Sequence, residues 1–105
     1  MSTYCVTFRI ADKSVNGKTY ADRREALIDN VYADNDGYWE ETTSFFFVGS
    51  SLDTYSFAKK AVKGLSPNDD LVVLFDPSDM SAAYFGPVEH LDVLKFFLPG
   101  IKKVP

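Results

Sequence analysis

Carboxylate side chains are the residues of this chain whose types and spacing could do chemistry. Paired carboxylates hold the divalent metal ions that activate water for phosphodiester cleavage. The acidic pairs in the sequence are Glu40-Glu41, Asp69-Asp70, and Asp76 with Asp79. They could hold a metal ion if they met at one end of a sheet, but each lies where a solvated loop or a strand edge is expected. We therefore predict no metal site from these pairs.

A fourth acidic segment, Asp34-Asn35-Asp36-Gly37, resembles the opening of a calcium-binding loop. Such a loop requires glycine at its sixth position and glutamate at its twelfth. This chain has Trp39 and Phe45 at those two positions. We therefore predict a turn at 34–37 and no calcium site.

Nucleophilic and redox chemistry have little support, because the chain has one histidine, His90, and one cysteine, Cys5. No spacing pairs a serine or cysteine nucleophile with His90, as a nucleophile and its base would require. Cys5 cannot form an internal disulfide bond, and burial in an apolar strand would raise rather than lower its thiol pKa. We predict that His90 is a surface residue and that Cys5 is a packing residue.

Two features could contact nucleic acid. Lys59, Lys60 and Lys63 form a basic cluster on the polar side of a predicted helix, where a solvated helix face is the ordinary interpretation. In a dimer the cluster would be duplicated, and together with Arg9 or Arg23-Arg24 it could follow a phosphate backbone. The aromatic run Phe45-Phe46-Phe47 is typical of strands on which bases stack, although acidic rather than basic residues precede it.

Composition sets the remaining limits. The 105 residues are 46% hydrophobic, which is enough for one domain with a buried core. The net charge of −4 argues against broad, charge-driven binding to DNA or RNA. The start of the chain lacks the pattern of a signal peptide and no apolar run approaches the roughly 20 residues of a membrane span, so we expect a cytoplasmic protein.

Hydrophobic periodicity and turn residues predict the elements that position these side chains. Thr19 and Asp22 have the spacing of a capping box, and Ser50 and Ser51 stand where a second helix would be capped. We expect the tail Lys102-Lys103 to be mobile. The predicted elements are strands at 3–10, 71–75 and 82–85, helices at 20–32, about 52–65 and about 88–98, and a segment at 38–48 that Thr42-Thr43 divides into a short and a longer strand.

The order of these elements, β-α-β-β-α-β with a C-terminal extension, predicts an α+β fold of the ferredoxin-like kind. Both helices would then lie on one face of the sheet and leave the other face bare. Leu71 to Phe75 is apolar at every position, which predicts a strand covered on both faces. Self-association across the bare face is the simplest way to cover it, and an aromatic ligand platform is the alternative.

Several segments resemble a known family. They are Y-C-V-T-F-R-I in the first strand, the pair Tyr38-Trp39, E-T-T-S-F-F-F-V-G-S-S, and D-D-L-V-V-L-F. Together they resemble small bacterial proteins labelled SinR-like, which are similar to the Cas-two family of CRISPR adaptation proteins. The resemblance implies a ferredoxin-like protomer and a homodimer packed through its sheets. For some Cas-two relatives it implies a metal-dependent nuclease, and for others a nucleic-acid-binding scaffold.

The chain departs from the family pattern at one position that matters. The nuclease members keep an aspartate after the aromatic residue of the first strand, and here Phe8 is followed by Arg9. A cation cannot ligate Mg²⁺, which binds carboxylate oxygens and water. Asp12, three residues further on, could replace that ligand only if the strand ended in a bend.

We therefore predict a non-catalytic, Cas-two-like homodimer that binds a partner and needs no cofactor, with RNA or DNA as the candidate partner. The assigned residues are Cys5, Thr7 and Phe46 for the dimer interface, and Arg9, Lys59, Lys60 and Lys63 for nucleic acid. One alternative is a Mg²⁺-dependent endoribonuclease that uses Asp12 or Asp76. Another is a protein-interaction module whose acidic surface docks a basic partner.

Overall fold

The structure is a computed structural model that describes residues 1–33 and 35–105. Six strands and three helices are found within these ranges. In chain order they are β1 (Ser2–Arg9), α1 (Tyr20–Tyr32), β2 (Tyr38–Trp39), β3 (Phe45–Ser50), α2 (Thr54–Ala61), β4 (Leu71–Phe75), β5 (Ala82–Phe85), α3 (Leu91–Phe97) and β6 (Lys102–Lys103).

The strands form one mixed sheet in the order β2-β3-β1-β4-β5-β6. Neighbouring strands are antiparallel from β2 to β5, and β6 runs parallel to β5. This mixed sheet, together with the three helices, confirms the predicted α+β class. Thr42-Thr43 does separate a short strand from a longer one, as their position in the aromatic segment predicted.

Alternation along β1 determines which face of the sheet is buried beneath α1 and α2. Tyr4, Val6 and Phe8 are buried, whereas Thr7 and Arg9 on the other face are exposed. Leu27 and Val31 of α1 and Phe57, Ala58 and Ala61 of α2 join the same core as the buried β1 residues. The two longer helices therefore cover one face of the sheet.

The predicted N-cap is confirmed for α1 and is wrong for α2. Thr19 and Asp22 form the predicted capping box, with Asp22 N donating to Thr19 Oγ1 at 3.1 Å and Thr19 N donating to Asp22 Oδ2 at 3.0 Å. These hydrogen bonds lower the pKa of the Asp22 carboxyl. The predicted serine cap of α2 is wrong: the N-cap is Asp53, whose Oδ1 accepts from Ser56 N at 2.8 Å. Ser50 instead ends β3.

Helix α3 lies on the face of the sheet that we predicted to be bare. Leu94 packs there in a second apolar cluster with Val73 and Phe75 of β4 and Tyr84 of β5. This helix covers part of the face, although none of its seven residues is buried. The expectation of a wholly bare face is therefore wrong, because the C-terminal extension folds back over β4 and β5.

The C-terminal tail is also ordered, contrary to expectation. Lys102-Lys103 forms β6 beside β5, and Val104 N donates to Tyr84 O at 2.8 Å. Ile101 and Val104 are buried in different apolar clusters, one with α3 and the other with α1 and α2. Because residues three apart in an extended chain point to opposite faces, the tail is anchored on both sides of the sheet.

Candidate binding surface

The face of the sheet opposite α1 and α2, called here the open face, carries the candidate interface residues. Strand pairing places Cys5 opposite Phe47 and Phe75, and Thr7 opposite Phe45 and Val73. Trp39 pairs with Phe47 at the β2 edge. The open face is therefore formed by Thr3, Cys5, Thr7, Arg9, Trp39, Phe45, Phe47, Leu71, Val73 and Phe75, with α3 over its β4 side.

Three aromatic residues, Trp39, Phe45 and Phe47, cluster at the β2–β3 side of the open face. The ring centroids of Trp39 and Phe47 are 5.9 Å apart, and those of Phe45 and Phe47 are 4.8 Å apart in an edge-on arrangement. Trp39 is 39% exposed and Phe47 is 43% exposed. We call these three residues the aromatic cluster; it exposes large apolar rings that a partner could cover.

The interface residues that the sequence predicted do not all lie on this face. Cys5 and Thr7 do, but Phe46 is fully buried on the opposite face. Its ring stacks on Phe8 at 4.9 Å, beneath the helices. The assignment of Phe46 to an interface is wrong, because Val6 pairs with Phe46 and every second residue of a strand changes face.

Cys5 contributes little surface, although it lies at the centre of the open face. It is buried between its ladder neighbours Phe47 and Phe75. Burial raises the pKa of its thiol, and the negative charge of Asp76 raises it further. A thiol of this kind is a weak nucleophile at neutral pH, in agreement with a packing role.

A groove lies between α3 and the strands β1 and β4, and we call it the α3 groove. Its volume is about 560 Å³. Most of its wall is apolar, and its charged side chains belong to Arg9 and Glu89. The lining residues are Arg9, Leu71, Val73, Pro87, Val88, Glu89, His90, Val93, Leu94 and Phe97.

Arg9 lies at the end of β1, opposite Leu71, with an exposed side chain that lines the α3 groove. Its guanidinium makes no hydrogen bond or ion pair with any residue in the ranges 1–33 and 35–105. Arg9 therefore supplies a solvent-accessible cation beside an apolar wall.

The two candidate catalytic carboxylates, Asp12 and Asp76, are not brought together. Asp12 follows the end of β1 at which Arg9 pairs with Leu71, whereas Asp76 follows the other end, at which Cys5 pairs with Phe75. Those ends are about 13 Å apart along β1, from four residues at about 3.3 Å each. Asp12 is exposed, and Asp76 is buried where its Oδ1 accepts from Ser78 N at 2.8 Å.

The acidic pairs are used in local contacts. Glu40 accepts from Tyr38 Oη at 2.8 Å and from Arg24 Nη2 at 3.3 Å, and burial raises the pKa of Tyr38. Asp69 pairs with Lys13 Nζ at 2.8 Å, and this contact lowers the pKa of Asp69. Over the described ranges, no three His, Cys, Asp or Glu side chains are grouped as metal ligands would be.

The segment 34–37, predicted to be a turn, lies only partly within the described residues. Asp34 is outside them. Asn35 Oδ1 accepts from Gly37 N at 3.0 Å, and Gly37 has a positive φ of 129°. Asp36 N donates to Gly49 O at 2.8 Å, which joins this segment to the end of β3.

The lysine cluster lies on the helical side of the molecule, away from Arg9. Lys59 and Lys63 are exposed, and the Lys59 ammonium lies 5.7 Å from the centre of the Tyr55 ring. Lys60 Nζ donates to Ala33 O at 2.7 Å, so this side chain links α2 to the end of α1. The four residues assigned to nucleic acid therefore form two separate sites in one protomer.

The expectation that Arg23 could contact phosphate is wrong, because Arg23 forms a buried ion pair that holds one end of the sheet together. The sequence analysis missed this pair. Arg23 and Asp70 are both almost fully buried, with Arg23 Nε 2.9 Å from Asp70 Oδ2. The guanidinium also donates to the carbonyl oxygens of Lys13, Lys18 and Ala11 at 2.7–2.9 Å. These contacts join the loop after β1 to α1 and to the start of β4.

The Asp70 carboxylate is equally well satisfied, since Ala11 N and Ser66 N donate to it at 3.0 and 2.9 Å. One sequence signal could have revealed the pair. Arg23 lies four residues before Leu27 and eight before Val31, on the buried stripe of α1. A charged residue on such a stripe requires a buried partner of opposite charge.

Among the described helices, none has the length and apolar character required to cross a bilayer. Comparison of the chain with protein-family models, with curated proteins and with solved structures gives no match.

Proposed function

We propose that this chain is a non-catalytic binding protein that acts as a homodimer, with a ferredoxin-like protomer of the Cas-two-like type. The sheet order β2-β3-β1-β4, with antiparallel neighbours, supports that protomer. So does the packing of α1 and α2 against one face of the sheet. The additional elements β5, α3 and β6 extend the sheet on the β4 side.

The observation that carries the proposed dimer is the aromatic cluster on the open face. Trp39 and Phe47 leave large parts of their rings exposed, next to the half-buried Phe45. A two-fold axis near this cluster would bury the same rings on both protomers, as isologous interfaces do. Aromatic residues are also the side chains that interfaces most often use as anchors.

Base stacking is the other use of such a cluster, and the surrounding charge disfavours it. Trp39 Nε1 donates to Glu41 Oε2 at 2.5 Å, so a carboxylate lies beside the ring that a base would contact. A phosphate backbone near that base would be repelled. A second copy of the chain therefore fits the aromatic cluster better than nucleic acid does.

Nucleic acid remains the candidate ligand of the dimer, on its helical side. Because α2 lies on the face opposite the aromatic cluster, Lys59 and Lys63 would stay exposed after dimerisation. The two-fold axis would duplicate them, and two short basic patches could contact phosphates at two points. The nuclease alternative needs a carboxylate from Asp12 or Asp76. Asp76 is buried and accepts from Ser78 N, which leaves Asp12 as the exposed candidate.

Light scattering at micromolar concentration is expected to give twice the chain mass of 11.8 kDa. Phe47→Asp should shift the protein to the monomer, because a charge would then have to be buried among the rings. Tyr20→Asp is the matched control: Tyr20 is 40% exposed but lies at the start of α1, on the helical side. A folded wild-type protein that is monomeric, or equal masses for the two variants, would reject the proposed interface.

Binding to end-labelled RNA and duplex DNA is expected to be weak and to fall as salt is raised, since it would depend on phosphate contacts. Lys59→Glu with Lys63→Glu should abolish it. Lys95→Glu with Lys103→Glu makes the same change in charge away from α2 and should have a smaller effect. Equal loss in both double variants would show a response to net charge instead of a site on α2.

The same labelled substrates test the enzyme alternative in the presence of Mg²⁺ or Mn²⁺, with and without EDTA. We expect intact substrate in every lane. Chelator-sensitive cleavage that disappears in Asp12→Asn or in Asp76→Asn would replace the non-catalytic proposal with a metal-dependent nuclease.

A further inference from the structure

The α3 groove is a second candidate site, separate from the aromatic cluster. Its floor is formed by Leu71 and Val73 of β4, and Val93, Leu94 and Phe97 of α3 form one wall. Its volume of about 560 Å³ lies within the range of small-molecule pockets, roughly 300 to 1,000 Å³. The groove is therefore large enough for an elongated apolar ligand.

Arg9 indicates which polar group such a ligand would carry. Arg9 is one of the residues that line the groove, and its guanidinium has no hydrogen-bond or ion-pair partner in the described parts of the chain. A guanidinium is weakly hydrated and binds a carboxylate through two parallel N–H···O hydrogen bonds. An anionic headgroup is therefore the complement that this end of the groove lacks.

We propose that the α3 groove binds an amphipathic carboxylate of medium chain length, with the headgroup on Arg9 and the alkyl chain between β4 and α3. This binding activity goes beyond the proposed dimer. Helix α3 is suited to receive the chain, because it packs on the sheet through partly exposed side chains only. An alkyl chain would add contacts beneath the helix and increase its apolar burial.

Glu89 also lines the groove and could attract a cationic ligand instead. The positions of the two charges favour Arg9. Arg9 belongs to β1, where its backbone position is fixed by pairing with Leu71, whereas Glu89 lies in the exposed loop before α3. A guanidinium also costs less to desolvate against apolar walls than a carboxylate does, because it is more weakly hydrated.

The test is titration calorimetry of the full chain with octanoate and decanoate below their micelle concentrations. Decanoate should bind more than tenfold tighter, since each buried methylene contributes about fourfold. Decanol lacks the anion and decyltrimethylammonium reverses the charge, so both should bind at least tenfold more weakly than decanoate. If neither carboxylate binds at millimolar concentration, or if decyltrimethylammonium binds as tightly as decanoate, the proposal is overturned.

Variants identify the site. Arg9→Gln should weaken decanoate binding by tenfold or more, and Lys59→Gln, which removes the same charge on the helical side, should leave it unchanged. Val93→Glu places a carboxylate on an exposed groove position and should also weaken binding, whereas Glu89→Gln should strengthen it. Equal effects of Arg9→Gln and Lys59→Gln would show non-specific charge attraction and reject the site.

Decanoate binding can be tested separately from dimerisation. Phe47 is not among the residues of the α3 groove, so Phe47→Asp should retain decanoate binding whatever its effect on mass. Sedimentation with phosphatidylcholine vesicles distinguishes a membrane surface from a free ligand. Binding to these vesicles together with failure to bind free decanoate would overturn the small-ligand proposal.

Discussion

Asp70→Ala is expected to destabilise the protein by about 3 to 5 kcal/mol, because it leaves the Arg23 guanidinium buried without its counter-charge. That loss is a large part of a typical domain stability of about 5 to 15 kcal/mol. Arg23 and Asp70 are 1% and 0% exposed at their side chains, so solvent cannot replace the missing carboxylate. Urea unfolding followed by circular dichroism measures the change in free energy of unfolding.

Two further variants keep this expectation testable if Asp70→Ala does not fold. Asp69→Ala removes the neighbouring carboxylate, whose partner Lys13 is 60% exposed, and should change stability much less. Arg23→Met with Asp70→Leu removes both charges and should recover part of the loss, since an apolar pair needs no counter-charge. If Asp70→Ala and Asp69→Ala unfold at the same urea concentration, the buried pair does not stabilise the fold.

Phe46→Ala is the second change with a large expected effect, about 3 to 5 kcal/mol. Its ring is fully buried, stacks on Phe8 at 4.9 Å and lies 5.6 Å from Tyr38. Truncation would leave a cavity beneath α1 and α2 that the surrounding side chains fill only in part. Thermal and urea unfolding of the variant measure the loss.

Phe47→Ala is the matched control, because it makes the same truncation one residue along β3. Phe47 faces the open face and is 43% exposed, so its truncation should alter monomer stability far less. The two variants should therefore change different properties: Phe46→Ala lowers the stability of the monomer, and Phe47→Ala weakens self-association. A larger loss of stability in Phe47→Ala than in Phe46→Ala would mean that the β3 residues are assigned to the wrong faces of the sheet.

Much of the secondary structure was predictable, because its signals are local in the chain. The bounds 20–32 of α1, 71–75 of β4 and 82–85 of β5 are those that periodicity and turn residues predicted. Asn16 and Gly17, a pair of residue types that favours a tight turn, both have positive φ and lie between the bridged residues Val15 and Lys18. Such signals depend on backbone preferences that each residue carries with it.

The pairing of residues between neighbouring strands was not predictable from these local signals. Three consecutive phenylalanines show no alternation, so nothing in the run itself indicated that Phe46 faces the helices and that Phe45 and Phe47 do not. The register with Cys5, Val6 and Thr7 decides it. A shift of one residue would reverse the two faces, so only the assembled ladder determines which ring is core.

The candidate sites also combine features that the sequence shows with features that only the tertiary structure shows. The sequence by itself determined that Phe8 is followed by a cation, Arg9, and that α1 has a capped start and an apolar stripe. Only the tertiary structure decided that Arg23 on that stripe is paired with Asp70, 47 residues away. It also decided that α3 folds over β4 and forms a groove beside Arg9. The physical reason is that charge pairing and apolar burial act between residues far apart in sequence, once the backbone brings them together.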